Sequence, residues 1–529
     1  MSQLDYLKVQ HVMGKMSRRE FVGRASALGA SSTVIAGMLA SNDAIAADSP
    51  RKGGTLRLGL GGGGTTDSLN IGTYTDSVMV DISHAVCNGL VEWAQDGKPI
   101  PDLAEKFESK DAAKVWNFKL RKGIKFHNGK EFDADDALYS LNLHRGEGTK
   151  SGAAGPMKAI TDIKKINANE IEITLEGSDA DFPYVLTDYH VLMVPAGHSD
   201  WSKLIGTGAY ILESFEPGVR AKLKKNPGYH KADRAHVDAV EVTVINDGAA
   251  RQAALISGQV DAVNRVDPKA VALITKSSKF SVVRAAGGWH PIMAMQTDKG
   301  PFDNADLRLA LKYSMDRDQM LKTLFSGYGT LGNDHPIPQS DPYFNKELPQ
   351  TKLDLDKAKF HFKKAGVAAP IVLQASDAAF NGAVDMGSLM QASADKAGIK
   401  INLKKEPADG FWDNVWLKGG FVTSYWAGRS AATQMLATAY KKGANWNETH
   451  WANEKWEKLL GDARSETDES KRKTYIWEMQ AMLSKDGGAL IPAMRDWLDA
   501  HSDKVGGMMP HSGFDMSNGN VCEKAWLKA

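Results

Sequence analysis

The sequence predicts an α/β fold whose second half contains a parallel sheet wrapped by helices. Three observations carry this: period-two alternation at several places in the first half, capped helical patterns through the second, and one strand–helix–strand unit. That unit runs from Ile371-Val-Leu-Gln-Ala375 through a helical stretch at 388–396 to Ile399-Lys-Ile-Asn-Leu403. Strands joined by a crossover helix lie parallel.

Taken in order, Thr55-Leu-Arg-Leu-Gly-Leu60 alternates and reads as a strand, as do Val115–Leu120, Glu170–Leu175 and Val237–Ile245. In Lys125-Phe-His-Asn-Gly-Lys130, Asn128-Gly129 is the pair a tight hairpin turn favours, so His127 is expected beside a turn rather than as a ligand. Asp133 stands before the helical pattern Ala134–Leu143, and Asn304 before Ala305–Met315; short polar side chains of this kind cap a helix by accepting its free N–H groups. Further helices are expected at Asp318–Phe325 with Gly327 behind it, Asp356–Lys364 with Gly366, Ser388–Lys396 with Gly398, Glu454–Ala463, and Glu469–Ser484 with Gly487. No internal repeat or low-complexity tract is present.

The N-terminus has the parts of an export signal of the twin-arginine type. Arg18-Arg19 precede a weakly apolar stretch, Ala25–Ala40, and Ala44-Ile45-Ala46 supplies an A-x-A cleavage site. The stretch of about 16 residues, rich in Gly and Ser, is shorter than the roughly 20 a membrane span needs. Cleavage near Ala46 leaves a mature chain of about 480 residues, enough for two or three domains. No Cys follows the stretch to take a lipid, so the expected location is the periplasm. The leader holds five basic and three acidic residues, so a net charge of +1 becomes about −1. A near-neutral chain without basic runs is a poor match to nucleic acid.

Cys87 and Cys522 are the two cysteines; in an oxidising compartment one disulfide and two buried thiols are equally open readings. No C-x-x-C or H-E-x-x-H occurs, and no metal site or cofactor is expected. Gly59-Leu-Gly-Gly-Gly-Gly64 satisfies G-x-G-x-x-G after a strand, but Thr65–Gly72 does not open a helix to receive a pyrophosphate, so it reads as a flexible loop. No G-x-S-x-G elbow is present, and no catalytic residue is assigned.

A set of ordered motifs extends from about Gly53 to the C-terminus: CNGLVEW at 87–93, PDLAEKFE at 101–108, WNFKLRKGIKFHNGKEFDADDALYSLN at 116–142, GTGAYILESFEPGVRAKLKKNPGY at 206–229, ALISGQVDAV at 254–263 and PFDNADLRLALKYSMDRDQM at 301–320. In these the chain resembles the family 5 extracellular solute-binding proteins of ABC transporters, the dipeptide, oligopeptide and nickel group. The resemblance implies a two-lobed periplasmic-binding-protein fold with a hinge between lobes. Lobe I is then expected at 47–290, with an inserted subdomain near 78–200, and regains the chain at 498–529; lobe II is 291–497. It implies a monomer that closes around a peptide or peptide-like small solute and presents it to an ABC permease in the inner membrane. It does not imply an enzyme, although an exported hydrolase and a chaperone or signalling receptor on the same scaffold are the alternatives.

Seven of the thirteen tryptophans fall between 412 and 477. Trp451, Trp456 and Trp477 sit in or beside helices and are expected in the core, whereas Tyr425 and Trp426 are expected at the cleft. They stand in Ser424-Tyr-Trp-Ala-Gly-Arg429, which matches the place where peptide-binding relatives carry a W-x-x-D-Y-x-D-P-like segment lining the ligand pocket. The acidic residue that pairs with a peptide's amino terminus is replaced there by Gly428, and Arg429 follows. A guanidinium fork suits a carboxylate or phosphate, so an anionic or zwitterionic small solute is expected, opine-like, sugar-phosphate-like or acidic peptide-like; pairing of Arg429 with a protein carboxylate is the alternative. Trp289 and His290, near the first crossing, are expected opposite it, and Tyr74 and Asp76 resemble the family's lobe I ligand segment.

Overall fold

The computed structural model describes residues 50–528 apart from 75, 381 and 408–410. The export signal therefore lies outside the described residues. One path of paired strands runs through both lobes, in the order Ile401–Lys405, Ile371–Ala375, Phe421–Trp426, Phe280–Met295, Ala493–Ser502, Ala262–Val263, Thr55–Leu60, Ala239–Val244, Arg220–Lys225, Tyr210–Glu216. Phe280–Met295 and Ala493–Ser502 are long enough to belong to both lobes, and they are where the chain crosses.

The predicted strands form where the alternation placed them. Thr55–Leu60, Val115–Leu120 and Glu170–Leu175 have the expected bounds, and Ala239–Val244 lies within its expected span. Leu56, Leu58 and Leu60 of the first strand are buried in the lobe I core with Val240 and Val242, its parallel neighbours in register. The strand–helix–strand unit is also parallel, with Ile371 opposite Ile401, although its second strand, Ile401–Lys405, starts two residues later than read. The helix between them, Ala383–Asp395, starts a turn earlier than expected. Asp133 and Asp136 form a reciprocal capping box on Ala134–Asn142, and Asn304 accepts from Asp306 and Leu307 at the start of Ala305–Ser314. Asp316, not Asp318, caps Arg317–Phe325.

Within lobe I, Ala104–Lys110, Val115–Leu120, Glu170–Leu175 and Ile160–Asn167 make a separate antiparallel sheet with its own core around Trp116, Phe118 and Phe182. The turn at Asn128-Gly129 forms, with Gly129 at φ 87°, and His127 beside it gives its Nε2 to the Gly208 carbonyl. The glycine run after the first strand is not loose. Gly61 N–H donates to Asn264, Gly62 N–H donates to Asn246, and a Cβ on Gly62 would meet the Asp76 carboxylate at 2.5 Å. Cys87 and Cys522 are both buried free thiols of the lobe I core.

Phe280–Met295 shows its double membership in its burial. Its first five residues are partly buried or exposed, while Pro291–Met295 is buried throughout, as expected where helices cover both faces of a sheet. The change comes at Gly287-Gly288, where the pairing register with Ala493–Ser502 shifts between Ala286 and Trp289. A Cβ on Gly287 would sit 2.7 Å from the Arg495 carbonyl oxygen, so the bulge needs a residue without one.

Candidate functional site

The crossing strands bring the residues of the candidate site together. Trp289 lies opposite Arg495 in one pairing, and His290 lies opposite Trp426 in the other. Gly288 and Gly428 meet backbone to backbone: a Cβ on Gly428 would lie 3.1 Å from the Gly288 Cα, and one on Gly288 would lie 3.0 Å from the Gly428 Cα. A side chain at 428 would crowd the Gly288 backbone, which would have to give by a few tenths of an ångström.

Beside this contact a solvent-connected space of about 350 Å³ lies between the lobes, with Trp93, Gly97 and Gly513 on one side and Gly288, Gly428 and Arg429 among the residues on the other. Trp289 stacks on Tyr425, ring centroids 5.6 Å apart, and the Arg495 guanidinium stands 5.6 Å from the Trp289 ring. Arg429 is half-buried, 5.9 Å from the Trp426 ring, and its Nη1 donates to the Ala427 and Gly428 carbonyls of its own turn. Burial holds its pKa below the usual arginine value, against the attraction of Asp188 and Tyr189.

Asp76 is not among the residues lining this space; it anchors an ion-pair cluster of lobe I. Its carboxylate caps the helix Ser77–Val86 and pairs with Arg265, which also donates from Nε to Asp515 at 2.8 Å. The Arg265 guanidinium stands 5.9 Å from the Phe514 ring, and Phe514 packs against Tyr189 and Trp497. Arg265, Tyr189, Arg495, Trp497 and Phe514 were not anticipated from the sequence. None lies in a patterned motif, and only the crossing strands and the returning C-terminus bring them together.

Three anticipated residues do not face the space. Tyr74 is 3% exposed, in the lobe I core, with its hydroxyl donating to the Leu69 carbonyl and its own carbonyl accepting from or facing His190 Nε2 at 2.8 Å. His290 is fully buried, its Nδ1 against the Gly288 carbonyl, and burial lowers its pKa to about 4, so it stays neutral. Trp426 is 5% exposed and donates its indole N–H to Glu448. The alternation of a strand explains this: Tyr425 points one way and Trp426 the other. Trp451 and Trp456 lie in the lobe II core as expected, while Trp477 is half-buried under Lys473.

Glu448 accepts indole N–H groups from both Trp416, at 2.7 Å, and Trp426, at 2.6 Å. Burial nonetheless raises its pKa to about 7, and burial likewise raises Asp341, which borders the space, to about 7. Each holds a proton in the folded state that the unfolded chain has released, so stability falls as pH rises from about 4 through 7. Buried His290 and His335, lowered to about 4 and about 3, act oppositely below about 6.5, the unfolded histidine range. The melting temperature is therefore expected to decline between pH 6.5 and 7.5. Glu448→Gln should flatten that decline, and an unchanged slope in a pH series of thermal melts would remove Glu448 as its source.

A larger space of about 410 Å³ lies within lobe I beside Glu92, Asp102 and Lys231. Its charges are already matched, Lys231 lying 2.9 Å from each carboxylate, so it offers little for a solute to neutralise.

Direct contacts also bridge the lobes on the far side of the space. Arg464 pairs with Asp179 at 2.8 Å and accepts the Ala180 N–H on its carbonyl; Arg472 pairs with Asp181, which also accepts from the Thr433 hydroxyl; and Ser430 donates to the Tyr184 carbonyl.

The profile of the bacterial extracellular solute-binding proteins, family 5, matches residues 98–448. The glutathione-binding protein GsiB of Pectobacterium atrosepticum is 25% identical over 481 residues, covering 87% of this chain and 93% of that protein. The dipeptide-binding protein of Escherichia coli is 24% identical over 479 residues, covering 81% and 88%. Among solved structures, the periplasmic binding protein AgaA in complex with agropinic acid, from A.tumefacien R10, superposes with a TM-score of 0.74 at 22% identity, over 90% of this chain and 99% of that one. With the two-lobed fold, the paired crossing strands and a profile match over most of its length, this chain belongs to the family 5 bacterial extracellular solute-binding proteins.

Proposed function

We propose that this protein is the periplasmic solute-binding component of an ABC importer, capturing a peptide or peptide-like, anionic and opine-like solute between its lobes. The captured solute is delivered to an inner-membrane permease, and the protein acts as a monomer. Lobe I is taken as 47–290 with 498–529, and lobe II as 291–497. The likeness to a dipeptide-binding and a glutathione-binding protein supports the peptide-type reading.

The observation that carries the anionic preference is Arg429. It is half-buried at the space between the lobes and, among the described residues, donates to carbonyls of its own turn while Asp188 attracts it without an ion pair, with Gly428 where a carboxylate would neutralise a peptide's ammonium. A buried charge without a counter-ion is costly, and a solute carboxylate supplies one. Trp289, Tyr425 and Asp76 are proposed as further contacts of the solute, whereas Tyr74, His290 and Trp426 are buried against other partners.

A thermal-shift screen against neutral dipeptides, acidic peptides, opines, sugar phosphates and chelated nickel tests this reading. A solute at a hundredfold excess over its dissociation constant stabilises the folded state by about 2.7 kcal/mol. Anionic solutes are expected to raise the melting temperature, and Arg429→Ala to weaken their binding by about 2–5 kcal/mol. Unchanged affinity in that variant sinks the role of Arg429. A response to neutral dipeptides alone makes the protein an ordinary peptide importer.

A further inference from the structure

Of the described residues that line the space between the lobes, only Asp341 and Arg429 carry ionisable side chains; the others are Trp93, glycines, prolines and serines. The two do not neutralise each other. Arg429 donates to carbonyls of its own turn and is attracted by Asp188. The charges acting on Asp341 are those of Asp181, which repels it, and Arg472, which is already paired with Asp181. Among the described residues the half-buried Asp341 carboxyl makes one hydrogen bond, from the Tyr343 N–H at 2.7 Å, and no ion pair. Burial accordingly prevails and raises its pKa to about 7. Tyr184 and Tyr343, the other ionisable groups around it, are raised by burial as well and stay neutral.

The turn Pro338-Gln-Ser-Asp-Pro342 holds this carboxyl in place. The Asp341 N–H donates to the Pro338 carbonyl at 3.0 Å, and the bond from Tyr343 N–H ties the side chain to the backbone two residues on. The start of the turn packs on the crossing: a Cβ on Gly288 would lie 3.6 Å from Pro338 Cγ and 3.0 Å from the Gly428 Cα, so the segments carrying Asp341 and Arg429 meet at Gly288. At its other end Pro342 lies against lobe I, 3.7 Å from where a Cβ on Gly97 would stand.

We infer that Asp341 is a cation subsite of this space and takes the ammonium, primary or secondary, of the same solute whose carboxylate Arg429 takes. This rests on the importer reading above and narrows its substrate to a molecule carrying both groups. Asp341 thereby fills, from another segment, the role that Gly428 leaves vacant. When the ammonium binds, the Asp341 carboxyl gives its proton to solvent and the ion pair forms; a solute without the amine leaves the carboxyl neutral and gains no such pair.

The test uses pairs that differ only in the amine: Ala-Glu against propionyl-Glu, and an N-(1-carboxyethyl) amino acid against the ether with oxygen in place of its nitrogen. Calorimetry on the wild type at pH 6 is expected to show at least a tenfold preference for the amine-bearing member. Repeated in buffers of different ionisation heat, the titration counts protons, and the amine-bearing complex should hold about one proton fewer than the amine-free one. Asp341→Asn, which keeps an acceptor for the Tyr343 N–H, should remove both differences, and Asp341→Glu should retain part of them. An undiminished preference in Asp341→Asn overturns the inference, as does an equal loss for both members, which would make Asp341 a support for the turn. The proton count on the wild type needs no variant, and an equal count for both members overturns the inference by itself. If the amine-free acids bind the wild type as tightly as their partners, the inference falls and the anionic importer reading stands. If no solute class binds, both fall together.

Discussion

Arg472→Ala is expected to open the molecule. Arg472 and Asp181 are almost fully buried, with side-chain exposures of 6% and 4%, and on the lobe boundaries proposed above they belong to different lobes. Removing the cation leaves a carboxylate buried between the lobes with only the Thr433 hydroxyl as a nearby donor. Losing one partner of a buried pair costs about 3–5 kcal/mol. In the interior of one domain that cost would fall on unfolding. Here a lower-cost escape exists, because separating the lobes returns Asp181 to water.

The equilibrium between closed and open forms should therefore shift by two or more powers of ten, since about 1.4 kcal/mol is tenfold. Solute affinity falls by the fraction of molecules left in the closed form. Small-angle scattering should show a larger radius of gyration than the wild type, and the dissociation constant should rise, while the melting temperature moves little. A wild-type scattering curve together with a strongly lowered melting temperature would show instead that the pair holds a fixed interface rather than a hinged one.

Arg265→Met should be the most destabilising change within the lobe I ion-pair cluster. Arg265 is the cation nearest a group of buried carboxylates: Asp515 bonds to it directly, and Asp81 and Asp499 are buried close by. Burial and mutual repulsion already raise the pKa values of all three, with the positive charge of Arg265 opposing that rise. Asp499 accepts from Met516 N–H, at the start of a run in which Met516, Ser517 and Asn518 are all left-handed, with φ of 51°, 60° and 63°. Such backbone is unfavourable for non-glycine residues and persists only where its surroundings hold it.

Without Arg265, an ionised Asp515 is stranded, at a cost of about 3–5 kcal/mol. Its escape is to take up a proton, and the sign of the pH effect follows. A carboxyl whose folded pKa is raised keeps in the folded state a proton that the unfolded chain releases, so stability falls as pH rises from the unfolded value through the folded one. The variant should be mildly destabilised at pH 5 and strongly so at pH 8 in urea titrations. A loss independent of pH would mean that Arg265 acts through packing on Phe514 and not through its charge.

Much of the fold was legible in the sequence because it rests on local chemistry. Alternation set Thr55–Leu60, Val115–Leu120 and Glu170–Leu175, and short polar caps set the helix starts at Asp133 and Asn304, because both signals arise from a residue and its near neighbours. The ordered motifs identified the family for the same reason, since they encode turns, caps and core faces. The crossing strand Phe280–Met295 was not read, since its buried half is a continuous apolar run without alternation. By itself the sequence also placed Tyr425, Gly428 and Arg429 in one candidate segment. Only the tertiary structure decided which way each of them turns. Strand alternation turned Trp426 inward to Glu448 and Tyr425 outward to Trp289, the contact between Gly288 and Gly428 brought two backbones together, and the register set residue 289 opposite residue 495. Partners more than two hundred residues apart are set by sheet order and lobe contact, and no local pattern records those.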